Sequence, residues 1–138
     1  MTPPTSRPLG QPRGEEERYF ADLREHSLPY YHCAACDIAY AGPQEWCTSC
    51  AGAIERRWSC GEGTLYSYTT LHRPGHPAFA DAVPYTIALV DFPEGFRTLA
   101  DLTLPPGTDG PRIGQPVRVE FEDVTPDMTL AHFVVVAA

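Results

Sequence analysis

Four of the five cysteines carry the most specific chemistry in this sequence. Cys33-Ala34-Ala35-Cys36 and Cys47-Thr48-Ser49-Cys50 form two CxxC pairs with ten residues between them. A CxxC knuckle presents two thiolates from one tight turn, and two facing knuckles complete a tetrahedral four-sulfur site. Zinc is the ion such a site favours, and a single iron is also compatible with four thiolates. Four protein ligands leave no position for water or substrate, so the ion is expected to be structural. Its binding would hold together a segment too small to have its own core. Two disulfides or a redox CxxC are the alternatives; a cytoplasmic setting disfavours the first, and the paired spacing fits a metal better. Arg56 and Arg57, just downstream, are placed to offset the negative charge of the thiolates. Gly52 follows the second pair, where a backbone turn is expected.

Other candidates are weaker. Cys60, in Ser59-Cys60-Gly61-Glu62-Gly63, lies outside the paired spacing and reads as a small turn residue. As a nucleophile it would need a base, and His72 or His76 is the available histidine. Glu120, Glu122 and Asp123 cluster, but a solvated strand face explains them. The chain has no lysine, so it forms no side-chain imine with a carbonyl substrate. No paired carboxylates, nucleophile motif or phosphate loop supports a free-standing enzyme, and no catalytic residue is assigned.

The elements that position these residues follow from the pattern. Residues 1–14 contain four prolines and little that could pack, and read as a disordered tail. Glu15–His26 reads as a short helix with three acids in its first turn, where the helix dipole favours them. Tyr19, Phe20 and Leu23 recur on one face of it. That stripe packs either on the chain's own core or on a partner, and the pattern does not choose. Residues 15–29 form this helical unit and 30–58 the metal module. Residues 59–138 are rich in strands: Thr64–His72, Tyr85–Phe92, Phe96–Leu102, Pro116–Glu122 and Leu130–Val136. Pro93-Glu94-Gly95 is a hairpin signal. Five strands without an intervening helix suit a small closed barrel, because closure removes exposed edges.

The segment from His72 to Val83 joins the first two strands and is long for a hairpin connection; such loops more often carry function. It offers Arg73 for a phosphate and Phe79 as an apolar anchor, with His76 between them. Its prolines limit the entropy lost on docking. A plain surface loop is the competing account.

Charge and composition narrow the function. The 138 residues carry a formal charge of −8, with 43% hydrophobic residues, as in a globular chain. Residues 59–138 hold four arginines (Arg73, Arg97, Arg112, Arg118) against ten acids. A groove that tracks a nucleic-acid backbone needs the opposite sign, which argues against a nucleic-acid-binding module even though small metal modules and barrels often serve one. No apolar run approaches the ~20 residues needed to span a bilayer, and no secretory signal is visible. A cytoplasmic location is the expectation.

Several stretches together resemble the DUF35 family. They are Tyr30-Tyr31-His32-Cys33 with Cys36, Cys47 and Cys50; Gly61 through Thr69; His72-Arg73-Pro74 and Pro77-Ala78-Phe79; Pro84-Tyr85; Ile113 through Val119; and Phe121-Glu122-Asp123. The resemblance implies a mainly β fold: an N-terminal helix, a rubredoxin-like zinc ribbon and a C-terminal five-stranded OB-fold barrel. It also implies a non-catalytic accessory subunit of a thiolase-like acyl-CoA enzyme, whether thiolase, acyltransferase or steroid side-chain aldolase. Such a subunit docks its partner and helps shape the coenzyme A channel, and the catalytic groups reside on the partner. On this view Zn2+ is structural, a coenzyme A thioester is shared with the partner, and contact falls to Arg73, His76 and Phe79. Tyr19, Phe20 and Leu23 are then candidates for a partner-facing helix.

Overall fold

The computed structural model describes residues 7–136. Residues 1–6 of the expected tail lie outside the described residues; residues 7–14 have no regular structure, but Arg7 is bound to Glu122 across the barrel. Helix α1 spans Glu15–Arg24. It starts after Gly14 without a side-chain cap, so the acids Glu15, Glu16 and Glu17 at its positive end support it instead. It stops two residues short of the expected His26, because His26 adopts a left-handed backbone (φ 57°). The His26 and Ser27 amides then donate to the Leu23 and Asp22 carbonyls.

Three short strands follow: β1 (Pro29–Cys33), β2 (Ala39–Tyr40) and β3 (Ile54–Trp58). They form one antiparallel sheet in the order β2-β1-β3. Every residue of β1 is buried, which suits a central strand covered on both faces and explains its unbroken Pro-Tyr-Tyr-His-Cys run.

Strands β4 (Glu62–Leu71), β5 (Tyr85–Asp91), β6 (Arg97–Thr103), β7 (Pro116–Thr125) and β8 (Met128–Val135) close into a barrel in the order β4-β5-β6-β8-β7. Neighbours run antiparallel except β6 and β8, which pair in parallel at Leu102–Phe133 and Thr103–Val134. β4 serves two neighbours: Glu62–Thr64 pairs with β7 and Thr64–Leu71 with β5. A bulge at Tyr66 lets the strand turn from one to the other. This order, with a single parallel contact, is the OB-fold expected from the resemblance. The β7–β8 hairpin is longer than the pattern implied. Asp123 pairs with Thr129, whose buried hydroxyl donates to the Asp123 carboxylate at 2.6 Å and carries the ladder past Glu122.

One hydrophobic cluster unites the parts. Leu23 of α1, Leu28 just before β1 and Tyr30 of β1 join Leu65, Val90, Phe92, Phe96, Val117, Phe133 and Val135 of the barrel. Tyr30 stacks on Phe96 at 5.2 Å, and Phe96 on Phe92 at 4.6 Å. The α1 stripe is therefore turned onto the chain's own core: Leu23 is 1% exposed, with Tyr19 and Phe20 packed half-buried beside it. No helix among the described residues is long and apolar enough to cross a membrane.

Candidate metal centre and docking loop

The four paired cysteines converge. Cys33 ends β1, Cys36 closes the first knuckle, and Cys47 and Cys50 form the second, held by the Trp46–Ala53 bridge. Their sulfurs all lie within 4.8 Å of one another, at 3.5 Å for Cys33–Cys50 and 3.4 Å for Cys36–Cys47. A tetrahedral zinc with ~2.3 Å bonds would set its sulfurs about 3.8 Å apart, close to this spacing. A disulfide needs ~2.05 Å, and all five cysteines are free thiols. The four-cysteine cluster is thus built to hold a metal ion, with every coordination position filled by protein.

Local backbone geometry builds each knuckle. In the first, the Cys33 amide donates to the Ile38 carbonyl at 2.9 Å and the Asp37 amide to the Cys33 carbonyl at 2.8 Å. In the second, Cys47 donates to Gly52 at 2.8 Å and Ala51 to Cys47 at 2.9 Å. The residue after each second cysteine takes a left-handed backbone: Asp37 at φ 61° and Ala51 at φ 62°. This corrects the expectation that Gly52 supplies the turn. Gly52 is needed for space: a Cβ there would lie 3.1 Å from Cys50 Sγ and 3.3 Å from Cys33 Sγ.

Charge compensation also differs from expectation. Arg56 pairs with Asp22 of α1 (3.4 Å) and lies over the Trp58 ring, while Arg57 pairs with Glu55 (2.9 Å). The sulfurs instead meet N–H and O–H donors. Ser49 N donates to Cys47 Sγ and Gly52 N to Cys50 Sγ, each at 3.4 Å. The Tyr40 hydroxyl lies 3.4 Å from Cys47 Sγ and 2.9 Å from Thr48 Oγ1. The Tyr40 hydroxyl holds the Cys47 thiol down to about 6, and the Cys47 sulfur pushes its neighbour Cys36 up to about 12. Without a cation, one thiol therefore ionises well before its neighbour.

Cys60 sits where the ribbon meets the barrel. Its amide donates to Glu94 Oε2 (2.9 Å), and Ser59 Oγ donates to Glu94 Oε1 (2.7 Å). Its exposed thiol points to the Glu62 carbonyl at 3.5 Å, and neither His72 nor His76 lines the hollows around it.

In the connection between β4 and β5, Pro77–Phe79 forms one turn of 3-10 helix. His76 caps it: its Nδ1 accepts from the Ala78 amide at 3.0 Å, which leaves Nε2 to carry the proton. Arg73 and His76 are exposed, and Arg73 has no ion-pair partner among the described residues. Phe79 is half-buried, with its ring 5.9 Å from that of Tyr85. Phe79, Ala78 and Ala82 of this connection line a cavity with Tyr85 and Leu130, and neither Arg73 nor His76 is among its lining residues.

Sequence reasoning missed one polar constellation. His132 of β8 lies between Asp101 of β6, at its Nδ1, and Glu122 of β7, 2.5 Å from its Nε2. Asp101, with Glu122 beside it, raises the His132 pKa, and Arg7 holds Glu122 below the usual carboxylate range. Glu122 was legible as one of an acidic cluster, but its partners are distant in the chain.

Comparison with known proteins fits this architecture. A family model for the C-terminal OB-fold domain of ChsH2 matches residues 57–122. The chain is 34% identical over 120 residues to a probable enoyl-CoA hydratase alpha subunit of Thermomonospora curvata. It is 42% identical over 74 residues to the 3-oxo-4,17-pregnadiene-20-carboxyl-CoA hydratase alpha subunit of Mycobacterium tuberculosis. It covers only 35% and 22% of the lengths of these two relatives. A DUF35 domain-containing scaffold protein of Methanothermobacter thermautotrophicus is 26% identical over 76% of its length. Among solved structures, a DUF35-family protein of unknown function from Sulfolobus solfataricus shares the fold (TM-score 0.63, 18% identity, 91% of this chain and 87% of that one). A chain from a structure described as the Ltp2-ChsH2(DUF35) aldolase superposes with a TM-score of 0.74 and 31% identity, over 94% of this chain and 98% of that one. Four converging thiolates, an OB barrel closed in this order and that end-to-end match have one common explanation: this chain belongs to the DUF35 family.

Proposed function

We propose that this chain is a docking subunit of a thiolase-like enzyme acting on acyl-CoA, with catalysis carried by the partner. The observation that carries the reading is the 31% identity over 98% of the DUF35 chain in the aldolase structure. The two CoA-ester hydratase alpha subunits among its relatives support the coarser part of this reading, a subunit of an enzyme acting on acyl-CoA, and the scaffold protein supports a non-catalytic role. The chain's own chemistry is consistent with it. The ion, proposed to be zinc, would be held by Cys33, Cys36, Cys47 and Cys50 and would supply folding energy, since no ligand position is left for substrate.

The docking loop is the segment His72–Val83. Arg73, exposed and without an ion-pair partner among the described residues, suits a coenzyme A phosphate or a partner carboxylate. His76 offers its Nε2–H, and Phe79 supplies an apolar anchor. Helix α1 is the weaker docking face, because Leu23 is consumed by the chain's own core.

Co-expression with a thiolase-like chain tests the reading. The expected result is a stable complex that turns over an acyl-CoA thioester, while the isolated chain does not. Within it, Phe79→Ala lowers affinity about tenfold or more. Efficient turnover by the isolated chain, or no complex with any thiolase-like chain, would overturn the proposal.

A further inference from the structure

The segment Arg7–Leu9 lies against the docking loop. Arg7 Nη2 donates to Glu122 Oε1 at 2.7 Å and Nη1 to Oε2 at 3.4 Å. Glu122 leads on to His132 and His132 to Asp101, so four alternating charges run across β7, β8 and β6. Pro8 and Leu9 then line a cavity of about 350 Å3 with Phe79, Tyr85 and Leu130. The cavity is therefore bounded by the docking loop on one side and by this arm on the other.

The Arg7–Glu122 ion pair of the arm has side chains that remain 28% and 43% exposed, a geometry that solvent and salt screen. No helix or strand contains residues 7–13. If Arg7 departs, two carboxylates are left facing one histidine beside an apolar cavity, and a newcomer must supply a cation to restore the balance. We propose that Arg7–Leu9 is a displaceable cover. In the free chain it walls one side of the pocket beside Phe79. The partner displaces it with a segment of the same chemistry, a basic residue close to an aliphatic one, so that docking and uncovering are one event. The inference rests on the docking reading of the loop and adds a regulatory step to it.

Backbone 15N relaxation on the full chain tests the cover directly. In the wild type, Leu9 is expected to be as ordered as the barrel strands (order parameter ~0.85), and in Arg7→Ala it falls below ~0.6. Arg7→Lys is intermediate, since it keeps the charge without the fork, and Arg13→Ala behaves as wild type. An anilinonaphthalene sulfonate dye should show several-fold greater fluorescence with Arg7→Ala at an unchanged, cooperative thermal midpoint, which separates an opened pocket from a loosened core. A wild-type Leu9 already below ~0.6, or a rigid Leu9 in Arg7→Ala, would overturn the proposal. Equal dye uptake by the two proteins would also do so. Binding to a co-expressed thiolase-like chain is then compared. Tighter binding by Arg7→Ala supports the gating step, and unchanged binding with a mobile arm refutes it. Absence of binding by both proteins refutes the docking reading itself, a failure the relaxation data keep distinct.

Discussion

Cys50→Ser isolates the contribution of the metal. The Cys50 side chain is exposed, so the exchange of sulfur for oxygen leaves no cavity and buries no new polar group. Whatever stability is lost must come through coordination. Structural four-coordinate zinc contributes roughly 10–16 kcal/mol of apparent binding energy; losing one of four equivalent ligands removes about 3 kcal/mol, or about two orders of magnitude in affinity. The loss has a defined address. Strand β1 is fully buried and tied to the barrel through Tyr30 and Phe96, so it has support besides the ion. The two-residue β2 and the second knuckle have less: the short pairing of β2 with β1, the Tyr40–Thr48 hydroxyl bond, one isolated bridge, Trp46–Ala53, and a few backbone bonds that include those of the Cys47 and Ala51 amides. Amide hydrogen exchange with metal titration reads this directly. In Cys50→Ser at limiting zinc, the Asp37, Cys47 and Ala51 amides lose protection while the β7–β8 amides keep theirs. Wild-type zinc affinity in the variant, or unchanged protection of those three amides after the metal is stripped, would refute the reasoning.

Three further outcomes follow from the geometry. Ala51→Gly relieves a non-glycine residue at φ 62°; the steric cost of ~1–2 kcal/mol is partly offset by glycine's entropy, so the melting point of the metal-loaded protein rises by about 2–4 °C. Gly63→Ala places a Cβ 2.6 Å from the Asp91 carbonyl and 2.7 Å from Val90 Cγ1, where the barrel backbone cannot yield. Calorimetry should show a loss of about 3 kcal/mol. His132, whose pKa is raised by Asp101 and then Glu122, contributes stability that is fully present below its unfolded value of ~6.5 and is lost as pH rises through the raised folded value. His132→Gln should flatten the denaturant-midpoint profile across that window; an unchanged profile would assign the slope to other groups.

The metal site and the barrel were largely legible in the sequence because both are encoded by short-range pattern. Two CxxC pairs at close spacing declare a four-thiolate cluster, and alternating apolar runs separated by Pro-Gly turns declare strands. What could not be read is what depends on which distant surfaces meet. The Tyr19-Phe20-Leu23 stripe is equally apolar whether it faces a partner or the barrel; packing with Leu28 and Tyr30 decided for the barrel. Arg56 and Arg57 lie near the cysteines in sequence, yet strand pairing turns them toward Asp22 and Glu55, and backbone amides attend the sulfurs instead. The Arg7–Glu122–His132–Asp101 chain joins residues separated by 115, 10 and 31 positions. Closing such separations costs chain entropy that only the assembled barrel can offset, so no local pattern announces them. Residue type and spacing determined what this chain can bind; barrel closure alone determined which side chains stand together around the loop that would present it.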